Sequence, residues 1–88
     1  MVKPYQDYYD NGSTIRTFDS SVPNEELVWH RDKKDREVAV LNGEDWKIQF
    51  ENNIPEKLMK GKLYKIKAME YHRLIKGNKG LTLRIWER

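Results

Sequence analysis

The sequence predicts a single all-β domain, and three observations support this prediction. A chain of 88 residues has room for only one small hydrophobic core. Short runs of apolar and polar residues recur along it, separated by segments with glycine, proline or asparagine, as in proteins built from strands. No stretch keeps helical periodicity for more than about one turn, because the best candidate, EKLMKGK, is interrupted by Gly61.

The first half of the chain contains four predicted strands, which are rich in β-branched and aromatic residues or alternate between apolar and polar ones. In order, they are Ser13–Phe18 and residues 26–31, 37–41 and 46–50. The last pattern is the clearest, because Trp46, Ile48 and Phe50 fall on one face of the strand. We expect that face to be buried.

The second half begins with a polar connection at residues 51–57, and three more short strands follow. They are Leu63–Ile66 and residues 71–75 and 81–86. The segment KGNKG predicts a hairpin turn in which Gly77 and Gly80 adopt positive φ. Eight or so strands in all fit a barrel or a sandwich. The residues of the last strand expected to face inward are Leu81, Leu83 and Ile85.

The composition argues against several classes of protein. Cysteine is absent, so disulfides and thiolate sites are excluded. No apolar run approaches the roughly 18 residues of a membrane span, and the N-terminus does not resemble a signal peptide. We therefore expect a cytoplasmic protein without a membrane partner. The serines lie far upstream of both histidines and no G-x-S-x-G elbow is present, which argues against a hydrolase.

Residues 1–24 are predicted to form an N-terminal arm or strand, and residues 25–88 to form the barrel. The arm contains three tyrosines near its start. Small barrels have exposed strand edges, and an N-terminal strand exchanged with a partner would cover them. We therefore expect a homodimer. The alternative is a frayed terminus.

Two segments resemble the motifs of the cupins, a family with a double-stranded β-helix or jelly-roll fold. The spacing of glycine and histidine in the second cupin motif fits Gly61 and His72, although lysines stand at its proline and asparagine positions. The first histidine and the glycine of the first motif fit His30 and Gly43. The resemblance covers residues 27–87 and implies the cupin barrel. The whole chain is also similar to very small cupin-like proteins of tailed phages and marine bacteria.

His30, Asp32 and His72 are the candidate metal ligands. Alternate residues of a strand point to one face, so His30 and Asp32 would be aimed together, with Asp32 at the place of the first motif's second histidine. If His72 lies beside His30, as in the cupin fold, the set suits Fe(II), Mn(II), Zn(II) or Ni(II). These are the chain's two histidines. The alternative is polar residues that line a barrel mouth, with no metal; no other cofactor is expected.

Arg36 stands where counting back from Gly43 places the family's glutamate ligand. It could form an ion pair with Asp32 in place of the cation, or hold an anionic ligand beside a metal. The candidate ligand-binding residues are therefore Arg36, with Gln49 and Tyr64 at the rim. No catalytic residue is predicted.

The function that follows is a small cupin-like protein with a divalent-metal or small-ligand site and no assigned activity. One alternative is a non-haem iron oxygenase, since His30, Asp32 and His72 have the order of the facial triad. The family that depends on 2-oxoglutarate adds a later arginine, and Arg84 is near that position. Arg84 follows Leu83, which is expected to face inward, so Arg84 should face outward. This facing disfavours the oxygenase alternative.

A second alternative is a binding module for single-stranded nucleic acid or a protein partner. Residues 57–67 contain five lysines, and Tyr64, Tyr71 and Trp86 lie among basic residues. The net charge is only +3, however, and lysines on edge strands also prevent pairing between molecules. Nucleic acid is therefore not the expected partner.

Overall fold

The computed structural model of the protein describes residues 4–23 and 27–88, which contain eight strands and no helix. The strands are β1 (Tyr5–Asp10), β2 (Ser13–Phe18), β3 (Arg36–Asn42), β4 (Lys47–Phe50), β5 (Glu56–Lys57), β6 (Leu63–Ile66), β7 (His72–Ile75) and β8 (Leu81–Glu87). The all-β prediction is confirmed. In these two ranges, nothing helical is long and apolar enough to cross a membrane.

The strands form two antiparallel sheets, ordered β1-β2-β8-β3-β6 and β5-β4-β7. In the larger sheet, Val38 and Val40 of β3 lie opposite Ile85 and Leu83 of β8, and all four side chains are buried. Buried residues of both sheets form one cluster. The core therefore lies between the two sheets.

The N-terminal hairpin belongs to the larger sheet. Its strands are joined by Asn11 and Gly12, with φ values of 47° and 82°, as a two-residue type I′ turn requires. Strand β2 pairs with β8, which leaves β1 at the edge of the sheet. The predicted division between residues 24 and 25 falls outside the described residues. Exchange of the N-terminal strand with a partner stays a prediction.

The predicted strand at residues 26–31 is wrong in the part that the structure describes. Its ladder contact there is a single bridge between His30 and His72. Val28 and Trp29, which favoured a strand, are exposed. The propensity of such residues for strands reflects their fit to a half-buried sheet surface, and the described part of this segment pairs with β7 only through that single bridge.

The segment KGNKG is not a hairpin turn, because β7 and β8 belong to different sheets. Neither Gly77 nor Gly80 has a positive φ. Gly77 is required by a close approach instead, since a Cβ there would lie 2.7 Å from Trp46 Cδ1 and would clash with the Glu44 carbonyl oxygen. The segment thus links the two sheets while it packs tightly against Trp46. The polar connection predicted at residues 51–57 also differs from the structure, because its last two residues form the short strand β5.

Trp46 lies at the centre of the core. Its side chain is fully buried, and its Nε1 donates a hydrogen bond of 2.6 Å to the carbonyl oxygen of Lys79. Ile48 is buried on the same face, as predicted, whereas Phe50 is only partly buried and lies beside His72. The predicted inward face of β8 is confirmed as well: its buried residues are Leu81, Leu83 and Ile85.

Candidate metal centre

His30 and His72 are brought together by their own backbones. Each N–H donates a hydrogen bond of 2.9 Å to the carbonyl oxygen of the other residue. This bridge, at the start of β7, places the centroids of the two imidazole rings 4.4 Å apart. His72 is buried and His30 is exposed. The two histidines are therefore close together, as expected. They are joined by a single bridge and not by a pair of neighbouring strands.

Both imidazoles turn their Nδ1 atoms to the backbone. The Nδ1 of His30 lies 3.0 Å from the carbonyl oxygen of Val28, and that of His72 lies 2.8 Å from the carbonyl oxygen of Glu70. A carbonyl oxygen only accepts, so each Nδ1 carries the hydrogen and each neutral ring keeps its lone pair on Nε2. Hydrogen bonds of this kind hold metal-binding histidines in place.

The Asp32 carboxylate lies close to both rings. Its Oδ1 is 3.8 Å from His30 Nε2, and its Oδ2 is 3.4 Å from His72 Nε2. Oδ2 is fully buried and accepts no hydrogen bond from a described residue, which is costly for a carboxylate. A cation would satisfy this oxygen. Potential ligand atoms of the three residues all lie within 4.8 Å of one another, so the group could hold a metal ion.

Asp32 and His72 also influence each other's protonation. Burial alone would raise the pKa of Asp32, but the contact with His72 and the charge of Arg36 lower it overall. Burial would likewise lower the pKa of His72, but the contact with Asp32 and the carbonyl of Glu70 raise it overall. Without a metal, His72 therefore keeps its proton to a higher pH than an ordinary histidine. A bound metal would displace that proton.

Arg36 contacts Asp32, but its hydrogen bonds go to another carboxylate. Its Nη1 lies 3.4 Å from Asp32 Oδ1, which is the ion pair expected from the sequence. Its Nε and Nη2 donate hydrogen bonds of 3.1 and 3.0 Å to Glu87 Oε2, from the residue directly opposite on β8. Arg36 is therefore held mainly by Glu87. It pairs with one oxygen of Asp32 and leaves the buried oxygen without a hydrogen bond.

A cavity of about 280 Å³ lies beside these residues, with a wall that is mostly apolar. His30, Asp32 and His72 line it, together with Arg36 and Tyr64. The hydroxyl group of Tyr64 already accepts a hydrogen bond from the Met59 N–H and donates one to the Lys57 carbonyl oxygen. Tyr64 thus contributes its buried ring to the wall, while its hydroxyl is used elsewhere.

Gln49 is not among the residues that line this cavity. Its Oε1 accepts hydrogen bonds of 3.0 and 2.8 Å from Arg73, and its Nε2 donates one of 3.0 Å to the Asn53 carbonyl oxygen. With Trp29 it lines a separate outer groove. The alternation of β4 explains this placement, because the buried Ile48 takes the inward position.

Arg84 and Lys65, which belong to the two alternative hypotheses, are not among the residues that line the cavity. Arg84 is turned outward, as expected, and its Nη2 lies 3.4 Å from Asp10 Oδ2. The lysine-rich segment includes Lys65 on β6, an edge strand of the larger sheet. Tyr64, one of the aromatic residues proposed to stack on bases, is buried.

Arg16 also lines the cavity, although no sequence motif indicates it. It lies on β2 opposite Leu83, a buried residue of β8, and its Nε and Nη2 donate hydrogen bonds of 2.8 and 2.9 Å to the Asp7 carboxylate. A signal was available in the run STIRTF. Arg16 is two residues before Phe18, so an inward Phe18 places Arg16 on the same face.

Comparison with solved structures identifies the architecture. A cupin-2 domain protein from Shewanella frigidimarina matches with 18% identity and a TM-score of 0.66, over 96% of this chain and 79% of its own. An RmlC-like cupin from Methanocaldococcus jannaschii matches with 12% identity and a TM-score of 0.65, over 96% and 79%. A cupin domain from Bordetella pertussis matches with 17% identity and a TM-score of 0.61, over 100% and 98%.

The protein therefore has the cupin fold, a double-stranded β-helix, as the sequence resemblance implied. No protein-family model and no curated protein matches the sequence. At these identities, the structural likeness shows the fold and assigns no activity. Similarity to the small phage and marine proteins stays a prediction.

Proposed function

We propose that this small cupin-fold protein binds a divalent transition-metal ion through His30 Nε2, the Asp32 carboxylate and His72 Nε2. One observation supports this most strongly: two Nε2 lone pairs, fixed by backbone carbonyls, and a buried carboxylate oxygen without a hydrogen bond lie within reach of one ion. Two imidazoles and one carboxylate suit Fe(II), Mn(II), Zn(II) or Ni(II).

The proposal includes a small-molecule ligand next to the metal. Three protein ligands leave coordination positions open, as in metal sites that bind exogenous molecules and unlike closed structural sites. The neighbouring cavity of about 280 Å³ offers space for such a molecule. The metal would supply a Lewis acid, and the protein would supply the shape of the cavity and its charged groups. No reaction is assigned.

Elemental analysis of the untagged protein, followed by calorimetric titration with Zn(II), Ni(II) and Fe(II), tests the metal site. We expect His30→Ala, His72→Ala and Asp32→Asn each to weaken binding by more than about tenfold while the barrel remains folded. Asp35→Asn is the matched control, because Asp35 lies in the same loop and accepts a hydrogen bond from the Ala68 N–H outside the group. Unchanged affinity in Asp32→Asn, or an equal loss in the control, would remove the assignment.

A non-haem iron oxygenase is a second candidate, because two histidines and one carboxylate are the donor set of that class. The outward position of Arg84, paired with Asp10, speaks against the variant that uses 2-oxoglutarate. Oxygen consumption by the Fe(II)-loaded protein tests this candidate. Uptake that Asp32→Asn loses would support it, and stimulation by 2-oxoglutarate would contradict our interpretation of Arg84.

We also propose that the protein is a cytoplasmic homodimer. Strand β1 is at the edge of the larger sheet, and Tyr8 and Tyr9 are exposed on it, so two copies could pair through this strand. The lack of cysteine is compatible with a reducing compartment. Light scattering after size-exclusion chromatography measures the mass. A monomer at every concentration would contradict the dimer, and Tyr9→Lys should shift a dimer toward monomer.

A further inference from the structure

Two arginines project into the barrel and line its cavity. Arg16 lies on β2 and is held by Asp7, with N–O distances of 2.8 and 2.9 Å. Arg36 lies on β3 and is held by Glu87, with N–O distances of 3.1 and 3.0 Å. The two guanidinium side chains are only 16% and 19% exposed. The mostly apolar interior thus contains two charged groups besides the metal ligands.

Stability is a weak explanation for the Arg16–Asp7 pair. Desolvation makes a buried ion pair a poor source of stability, and apolar residues of similar size often do as well or better. The guanidinium is nevertheless fixed firmly, because its carbon lies 3.7 Å above the centre of the Tyr5 ring. Asp7 accepts from Nε and Nη2, and no described residue accepts a hydrogen bond from Nη1. An anion in the cavity could accept that hydrogen bond.

Arg16 and Asp32 line the same cavity, and the charge of Asp32 acts on Arg16. Burial alone would lower the pKa of Arg16, but its hydrogen bonds to Asp7 and the charges around it, including that of Asp32, raise it overall. Arg36 contacts Asp32 directly at 3.4 Å. Both arginines therefore act on the space beside the proposed metal ligands.

The charges around the cavity indicate a ligand with one negative charge. Two guanidinium groups face three carboxylates, those of Asp7, Asp32 and Glu87, so the cluster has one net negative charge without a metal. A divalent ion on neutral histidines changes this balance to one net positive charge. A monoanion would neutralise it, whereas a neutral ligand would leave this positive charge beside the apolar wall uncompensated.

The rest of the cavity indicates an apolar body for that ligand. An engineered cavity of roughly 150 Å³ accepts benzene, and the cavity here is larger, at about 280 Å³. It has room for a ring of that size together with a carboxylate. The wall around that space includes Val38, Ile48, Leu58, Ile66, Leu74 and Ile85.

We propose that the cavity binds a small organic monocarboxylate, with its carboxylate between Arg16 and Arg36 beside the metal and its apolar body against the sheet side chains. This proposal rests on the proposed metal site and adds the class of ligand. Arg16 is a ligand-binding residue in this proposal, although it belongs neither to the cupin motifs nor to the group of metal ligands. It selects a charged ligand over a neutral one of the same shape.

Calorimetric titration of the Zn(II)-loaded protein with benzoate and with the neutral, similarly shaped benzamide tests the proposal. We expect benzoate to bind at least about tenfold more tightly. The double variant Asp7→Asn/Arg16→Gln removes both charges together and keeps a hydrogen-bonded pair. It should weaken benzoate by about tenfold and change benzamide by less than about twofold.

The matched control is Asp10→Asn/Arg84→Gln, which removes the same two charges from a pair on the outer face of the same sheet, 3.4 Å apart. We expect less than about a twofold change in benzoate affinity. Zinc binding without a preference for benzoate, or an equal loss in the control, overturns this proposal and leaves the metal site intact. If zinc does not bind, the proposed function fails. This proposal then fails with it, because the metal-free cluster has one net negative charge and favours no anion.

Discussion

Two regions of the barrel interior differ in how they are filled. In the packed region, formed by Phe18, Trp46 and Leu81, two side chains are fully buried and the rings of Phe18 and Trp46 lie 5.5 Å apart. In the polar region, formed by His30, Asp32, Arg36 and His72, the side chains border a cavity, and a buried carboxylate oxygen has no hydrogen bond from a described residue. One region is close-packed, and the other leaves space and an unsatisfied carboxylate oxygen.

The two regions therefore have separate tasks. Close packing of large side chains contributes most of the stability in so small a core. A buried carboxylate oxygen without a hydrogen bond destabilises the fold, so its presence points to a ligand that satisfies it. Substitutions in the packed region should therefore change the free energy of unfolding. Those in the polar region should change binding and leave the fold intact.

The largest effect should come from Trp46→Ala. Removal of this fully buried side chain leaves a cavity and should lower the free energy of unfolding by about 3–5 kcal/mol. Urea denaturation followed by circular dichroism measures the loss. Trp29→Ala is the control, because Trp29 is 40% exposed and its removal should cost less than about 1 kcal/mol. Equal losses for the two tryptophans would contradict the assignment of the packed region.

A smaller loss should follow from Gly77→Ala. The added Cβ would meet Trp46 and the Glu44 carbonyl oxygen, so the link between the sheets must shift, at a cost of about 1–3 kcal/mol. Because φ at Gly77 is not positive, the effect is steric. Asn78→Ala, an exposed change in the same link, should cost less than about 0.5 kcal/mol in the same urea measurement. A neutral Gly77→Ala would show that the link moves freely.

The packed region could be predicted well from the sequence, because its residues follow local patterns. The strands Ser13–Phe18 and Leu63–Ile66 have the predicted bounds, and alternation correctly turned Trp46 and Leu81 inward. The strand predicted at residues 26–31 is wrong in its described part, because the strand propensity of a segment does not supply a partner strand. The positive φ predicted for the glycines of KGNKG is wrong. Gly77 is required by its close approach to Trp46, and local sequence does not reveal such a long-range contact.

The polar region could be predicted only in part. The spacing of a known motif identified His30, Asp32 and His72, whose proximity depends on one backbone bridge. Arg16 and Gln49 depend on the register and facing of strands remote from that motif. Alternation in STIRTF places Arg16 on the same face as Phe18, but sequence spacing does not determine how β2 pairs with β8, so it does not place Arg16 beside the metal ligands.

The pH dependence of metal binding tests how tightly His72 holds its proton in the polar region. Below the raised pKa of His72, a metal must displace the proton, so affinity should rise by up to about tenfold per pH unit. The rise should continue above pH of about 6.5, the ordinary value for histidine, because Asp32 raises the pKa of His72. The stability of the metal-free protein has the opposite sign, since the protonated His72 pairs with Asp32 and that contribution is lost as pH rises through the raised pKa.

Titration with Ni(II) between pH 6 and 8.5 measures this dependence. The His72→Ala variant is the control. This variant should bind Ni(II) more weakly, and its affinity should no longer rise with pH above about 6.5. A wild-type affinity that levels off below that pH would mean that His72 binds its proton no more tightly than an ordinary histidine, and the coupling to Asp32 would be wrong.

The smallest expected effect concerns Arg36→Glu. This change removes a cation 3.4 Å from Asp32 and adds a carboxylate near the metal ligands, so metal should bind more tightly by about tenfold, or 1.4 kcal/mol. The metal-free variant should be less stable, because Glu87 loses its guanidinium partner and faces a like charge. Arg88→Glu is the matched control: Arg88 also donates two hydrogen bonds to a glutamate, Glu37, but lies outside the cavity lining.

Calorimetric titration of the three proteins with Zn(II), Ni(II) and Fe(II) separates the two roles of Arg36. If the wild type binds metal, and Arg36→Glu but not Arg88→Glu binds it more tightly, the Arg36 guanidinium lies beside the metal and lowers its affinity. Binding by Arg36→Glu alone would show that the Arg36–Asp32 pair replaces the metal, so that the wild-type cavity contains its own cation. No binding by either would end the metal hypothesis, because the variant then offers two histidines and a second carboxylate without attracting an ion.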